Sequence, residues 1–363
     1  MPKSSPAPSV SHPPFHELMG QLAIGDAPTH LGWLKANYDN RAQVPTALTQ
    51  LADWAKQSER MRQNYTASQS CALDLAYGPD AGERLDVFWP QAVTSADAVQ
   101  AAGAASAAQT AQAGDAATAT KATQGSKKNK AAAKGRRVVV FIHGGYWRGL
   151  DKADHSFLVP SLQRSFSDKA HKGAVVVMPN YALCPSVEID DIALQLTRAM
   201  AWVYEHIHRY GGDATEVSVV GHSAGGHLAT MLLACNWQAV HTPAGVALPK
   251  HFVRRALSVS GLYDLAPLQH APFIQQDLRL TDKTIARCSP AYWPAPNKRR
   301  LYTVVGGDET SEFVRHNTMM RKAWGRSVVP MADVVAGLNH FSIVEALASG
   351  HPKLMKALRK LKD

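Results

Sequence analysis

The chain lacks most of the features that would make it an exported, metal-centred or membrane-spanning protein. Its four cysteines, Cys71, Cys184, Cys235 and Cys288, are far apart and form no CxxC pair. Such spacing offers neither a thiolate zinc loop nor a disulfide framework, and reduced thiols in a cytoplasmic setting are expected. No eighteen consecutive apolar residues occur, so no membrane span is expected. The opening MPKSSPAPSVSHPPFHE has no apolar stretch of the kind a secretory signal needs, and no export is expected. Charged residues make up only 19% against 45% hydrophobic ones, a balance that favours a packed core over disorder.

The formal net charge of +10 raises the question of a nucleic-acid partner. Its distribution answers it. Lys121, Lys127, Lys128, Lys130, Lys134, Arg136 and Arg137 lie in or beside one low-complexity stretch, and more cations crowd the end of the chain after Lys353. The remainder is nearly balanced, so neither a nucleic-acid nor a membrane partner is expected.

That low-complexity stretch, residues 91–135, is rich in Ala, Thr, Gln, Ser and then Lys, with almost no large apolar side chain. It reads as a disordered insertion, and residues 1–15 as a disordered tail. The rest, 16–363, is the size of a single domain. Residues 16–70 contain Trp33, Leu34, Leu48, Leu51 and Trp54 in a helical region that reads as a cap. Strands are expected at 72–76, 84–88, 138–142, 174–178, 217–220, 256–259, 301–305 and 329–335. Helical patterns fall at 187–208, 225–233, 312–324 and 343–361, the last interrupted by Gly350-His351-Pro352. Apolar strands alternating with helices imply a mostly parallel sheet covered on both faces.

Between the strand at 217–220 and an apolar helix stands Gly221-His222-Ser223-Ala224-Gly225. A GxSxG string arises by chance in roughly one chain in ten of this length. At a strand-to-helix turn it is more informative, because a sharp turn that exposes a serine needs glycines around it. Ser223 is therefore the candidate nucleophile of an α/β-hydrolase fold. After the strand at 138–142 comes His143-Gly144-Gly145-Tyr146-Trp147, where that fold places an oxyanion hole. Gly144 gives the loop its closeness, and the N–H groups of Gly145, Tyr146 and Ala224 are the candidate donors. His143 reads as an organiser of the loop.

The fold orders the rest as acid and then histidine. His340 follows the last strand and precedes the last helix; His316 and His351 read as surface residues. The strand at 301–305 runs into Gly306-Gly307-Asp308-Glu309-Thr310, so either Asp308 or Glu309 is the acid. Asp264 reads as a cap for the segment after it.

The stretches HGGYWRGLDKADHSF, PNYALCP, GHSAGGHLA, SGLYDLAPL, ETSEFVRHN and LNHFSIVE together resemble the kynurenine formamidase (arylformamidase) family and its esterase relatives. The likeness begins near residues 31–62 and continues to the final helix, skipping the insertion. It implies that the second glycine of HGGxW and the residue after it, here Gly145 and Tyr146, form the oxyanion hole. It also implies an acid three residues before a Glu-Phe pair, which puts Glu309 in register with Glu312-Phe313 and Asp308 one residue early. The reaction implied is removal of an acyl group from a small formamide such as N-formylkynurenine, with no metal or organic cofactor. Trp147, Tyr181 and Phe341, with Tyr146, would form an aromatic wall for the substrate. A broad carboxylesterase is the alternative enzyme, and a non-catalytic binding protein on a hydrolase fold the alternative of another class. A dimer is compatible with all three readings.

Overall fold

The computed structural model describes residues 27–90, 135–167 and 173–362. The assignments made for 1–15, for the start of the cap and for the insertion up to residue 134 lie outside the described residues. Within them, strands β1 (Cys71–Ala76), β2 (Arg84–Phe88), β3 (Arg136–Ile142), β4 (Val175–Pro179), β5 (Gly212–His222), β6 (Arg255–Val259), β7 (Arg300–Gly306) and β8 (Met331–Val335) form one sheet in the order β1-β2-β4-β3-β5-β6-β7-β8. β2 is antiparallel to β1 and β4, and every other pair is parallel.

The strand pleat divides the interior in two. On β3, Val138, Val140 and Ile142 enter one core while Val139 and Phe141 enter the other, as the period of two requires. Strands buried on both faces are apolar with little alternation, which is why β3 and β4 read as nearly continuous apolar runs. β8 lies at the edge and is half exposed.

The first core is closed by α1 (Ala27–Tyr38), α3 (Ile189–His206), α4 (Ala224–Ala234), α5 (Pro272–Leu278) and α6 (Ser311–Val328); the second by α2 (Ala47–Ala67), α7 (Ser342–Ser349) and α8 (Pro352–Arg359). α3 starts at a capping box between Glu188 and Asp191 and buries Ile189, Ile192, Leu196, Ala199, Met200 and Val203 on one face. The terminal helical pattern becomes two helices, α7 and α8, because Gly350 takes φ 87° and Pro352 cannot extend the preceding turn.

The N-terminal helices are tied to the loops at the carboxyl ends of the strands. Thr310 Oγ donates to the Asn37 carbonyl at 2.7 Å, Ser311 Oγ to Asn37 Oδ1 at 2.9 Å, and the Tyr38 hydroxyl to Glu312 Oε2 at 2.7 Å. Leu48 faces outward at 70% exposure, so only part of the apolar content of this region packs inward. No helix among the described residues is long and apolar enough to cross a membrane.

Candidate active site

β5 ends at His222 and α4 begins at Ala224, leaving Ser223 alone in the turn with φ 57° and ψ −123°. An L-residue rarely holds such a conformation, and strain of this kind persists only where the surroundings over-determine it. Two contacts do so. The Ser223 N–H donates to the Val259 carbonyl at 2.8 Å. A Cβ on Gly225 would stand 2.1 Å from the Ile142 carbonyl oxygen, so only glycine lets α4 begin this close to β3.

His340 Nε2 lies 3.0 Å from Ser223 Oγ, and its Nδ1 lies 2.6 Å from Glu309 Oε2. A carboxylate only accepts, so Nδ1 carries the proton and Nε2 presents its lone pair to the serine hydroxyl. The side chain of Glu309 is fully buried and that of His340 is 6% exposed. Glu309 Oε1 accepts from Ser260 Oγ at 2.5 Å and from the Gly306 N–H at 2.8 Å. Asp308 is exposed and makes no contact with His340; its N–H donates to the Leu338 carbonyl at 3.0 Å. Of the two adjacent carboxylates, the structure brings Glu309 to the histidine.

The His340 ring packs between Phe313 and His222, with centroids 4.6 and 4.7 Å away. His222 Nε2 donates to the His340 carbonyl at 2.9 Å. Burial, and then the neighbouring His340, hold His222 well below the usual histidine range, so it remains a neutral strut.

The loop after β3 lies against the elbow, where a Cβ on Gly144 would stand 2.9 Å from the His222 carbonyl oxygen. Gly145, Tyr146 and Trp147 follow one another at φ 105°, 52° and 56°. The N–H groups of Gly145 and Tyr146 have no acceptor among the described residues, and Ala224, first in α4, has no intrahelical acceptor. These unpartnered donors and the positive end of α4 suit an anion formed beside Ser223. His143 accounts for the shape of the loop. Its Nδ1 is 2.8 Å from the Gly144 carbonyl, its Nε2 2.9 Å from Asn180 Oδ1, and burial, with His155 nearby, lowers its pKa to about 4.

Ser223, His340 and Gly145 open onto a cavity of about 310 Å³. Its walls include Trp54, Tyr146, Phe273 and Phe341, and its mouth carries Asp39, Arg41 and the ion-paired Arg148 and Asp277. Three sequence-based expectations are corrected here. Trp147 is fully buried, its ring edge-on to His227 at 5.0 Å, because the residue after Tyr146 points to the opposite side of the loop. Tyr181 is also buried, stacked on His143 at 4.3 Å and donating to the His143 carbonyl at 2.9 Å. Both support the loop from behind, whereas Tyr146 and Phe341 face the cavity. His316, expected at the surface, is buried and accepts from the Tyr263 N–H at 3.0 Å. Asp264 accepts from the Ala266 N–H as a local cap.

Sequence reasoning missed Ser260, Trp54, Phe273 and the charged mouth. Ser260 had a usable signal, because it stands at the carboxyl end of a parallel strand, where α/β sheets gather their ligands. Trp54 had none beyond its place on a mostly polar helix, where a large aromatic marks a buried position.

Strand order, the serine elbow and the carboxyl-end cavity define the chain as an enzyme of the α/β-hydrolase class. The family described as BD-FAE matches residues 127–279. A Silicibacter protein described as a thioesterase superposes with a TM-score of 0.64 at 23% identity, over 88% of this chain and 97% of the other. An esterase from Pyrobaculum calidifontis gives 0.55 at 13%, over 95% and 96%. At these identities the likeness speaks to the fold. Within the class the chain is similar to kynurenine formamidases. It is 28% identical to the kynurenine formamidase of Danio rerio over 296 residues, 80% of this chain and 81% of the relative, and 29% identical to that of Salmo salar over 298 residues with the same coverage. Esterase LipQ of Mycobacterium tuberculosis is 33% identical over 136 residues, 37% of this chain and 30% of its own.

Proposed function

We propose that this chain, a single hydrolase domain over residues 16–363, cleaves a small aromatic formamide of the N-formylkynurenine type by acyl transfer through Ser223. The observation that carries the reading is the buried hydrogen-bonded chain from Glu309 through His340 to Ser223 at the floor of an aromatic-walled cavity. His340 takes the hydroxyl proton as Ser223 Oγ attacks the formyl carbon. The N–H groups of Gly145, Tyr146 and Ala224 hold the oxyanion, each such donor contributing about 10²–10³ in rate. His340 then gives its proton to the departing aniline nitrogen, leaving Ser223 formylated. Water, deprotonated by the same histidine, releases formate and restores the serine. Glu309 keeps the proton on Nδ1 and stabilises the imidazolium in both steps.

A formyl group is the smallest acyl group, so the bulk of the substrate lies on the leaving side. Trp54, Tyr146, Phe273 and Phe341 suit an aryl leaving group there, and the mixed charges of Asp39, Arg41, Arg148 and Asp277 suit a polar, charged tail. The same machinery cleaves esters, and the partial likeness to esterase LipQ favours carboxylesterase activity as the second reading.

The decisive measurement compares kcat/KM for N-formylkynurenine with that for a short p-nitrophenyl ester. The formamide reading expects the formamide to be turned over at least as well as the ester. Ester cleavage with no detectable formamide cleavage would leave the second reading. Ser223→Ala is expected to abolish both, and unchanged hydrolysis in that variant would overturn the mechanism.

A further inference from the structure

At the opposite end of the sheet, where β6 and β7 begin and α4 ends, the structure holds a second cavity of about 340 Å³, lined by Lys250, His251, Lys298, Arg299 and the amides Asn236 and Asn297. Two basic strings build it. Lys250-His251 and Arg254-Arg255 lead into β6, Lys298-Arg299-Arg300 lead into β7, and the strands pair in register with Arg255 opposite Arg300. No aspartate or glutamate occurs anywhere in residues 217–263 or 289–307.

Arg299 is the unusual member. It is 7% exposed, and its guanidinium is held by backbone carbonyls, bonding to those of Leu233, Cys235 at 2.8 Å and Lys250 at 3.1 Å. The first two belong to the end of α4, where a cation is favourable. None of Lys250, Arg254, Lys298 and Arg299 pairs with a carboxylate among the described residues. His251 adds a buried Nδ1 with no hydrogen-bond partner. Its pKa is lowered, by desolvation first and then by Arg299, Lys250, Lys298 and Arg254. The charged groups acting on His251 are all cations, and a buried cation held only by carbonyls keeps its net charge.

We infer that this cavity is an anion site for a phosphate group, free or carried on a small organic ester, held between Lys250 and Lys298 over Arg299. Converging cations and two side-chain amides match the oxygens of a phosphate, and the volume leaves room for an attached organic group. The eleven-residue α4 separates the site from Ser223 by about 16 Å, so it is distinct from the hydrolase centre.

The test is calorimetric titration of the full chain with inorganic phosphate and, separately, glycerol 3-phosphate, at ionic strength held constant with sodium chloride. Saturable binding near one equivalent is expected for at least one of them, the better ligand telling free phosphate from ester. The double variant Lys250→Ala/Lys298→Ala removes two exposed side chains. It should weaken binding at least tenfold while p-nitrophenyl ester hydrolysis stays within twofold. No saturable heat from either ligand, or equal binding by the double variant, would overturn the assignment.

Discussion

Ser260 Oγ donates to Glu309 Oε1 at 2.5 Å, so the carboxylate facing His340 is itself held from behind by the strand next to the one that carries the nucleophile. Ser260 sits at φ 53° and its N–H donates to the Val304 carbonyl at 2.7 Å, which ties the ends of β6 and β7 together at the acid. A hydrogen bond to a charged group contributes about 1.5–3 kcal/mol. Ser260→Ala leaves the Gly306 N–H on the same oxygen and is expected to lower kcat roughly tenfold with little change in KM, read by steady-state kinetics. An unchanged kcat would show that Glu309 needs no such support.

Glu309→Gln replaces the acceptor of the His340 Nδ1 proton with an amide that stabilises the other tautomer. The expected loss is about 10³–10⁴ in kcat. Asp308→Asn changes an exposed side chain with no contact to His340 and should remain within twofold of the parent. Paired kinetics of the two variants check the assignment, and the reverse ranking would move the acid to Asp308.

Gly145→Ala and Tyr146→Phe separate two properties of one loop. A Cβ at Gly145 would lie 2.0 Å from the Gly149 carbonyl oxygen at a φ of 105°, so the loop must shift and its donors move. A fall of about 10²–10³ in kcat is expected in a chain that still folds. Tyr146→Phe keeps the backbone and removes the hydroxyl that donates to the Tyr38 carbonyl at 2.6 Å. It should cost about 1 kcal/mol of stability, seen in denaturant unfolding, with a smaller effect on kcat.

Buried neutral histidines set the acid limit. Burial lowers His155 and His227 to about 4, against 6.5 when unfolded, and holds His222 and His316 well below the usual histidine range. Between pH 6.5 and 4 the unfolded chain binds more protons than the folded one, so stability is full above that window and falls as pH drops through it. Each of His155 and His227 contributes up to about 3 kcal/mol. Thermal melts from pH 7 to pH 4 should show a steep decline in Tm below pH 6, and His227→Gln, if it folds, should flatten it. A flat profile would mean that these histidines take up protons as readily in the fold as in the unfolded chain.

The architecture was legible because its signals are local. β3 and β4 are apolar runs, and α3 shows its stripe at helical spacing. Glycine loop, elbow, acid loop and late histidine occur in the order that this class requires, so Ser223 and His340 could be named as candidates from chain order. The aromatic wall was only half legible. Tyr146 and Trp147 are adjacent with the same chemistry, and which of them meets the cavity depends on successive left-handed backbone angles that composition does not reveal.

The sequence by itself determined the strand and helix alternation, the serine at its turn and the histidine after the last strand, since each follows from short-range patterning and chain order. Only the tertiary structure decided that Glu309 rather than Asp308 meets His340, that Ser260 holds the acid, and that Trp54 and Phe273 wall the cavity. Those outcomes depend on where side chains from distant segments converge. Adjacent residues in a tight loop point in different directions, and packing alone selects the one that is buried.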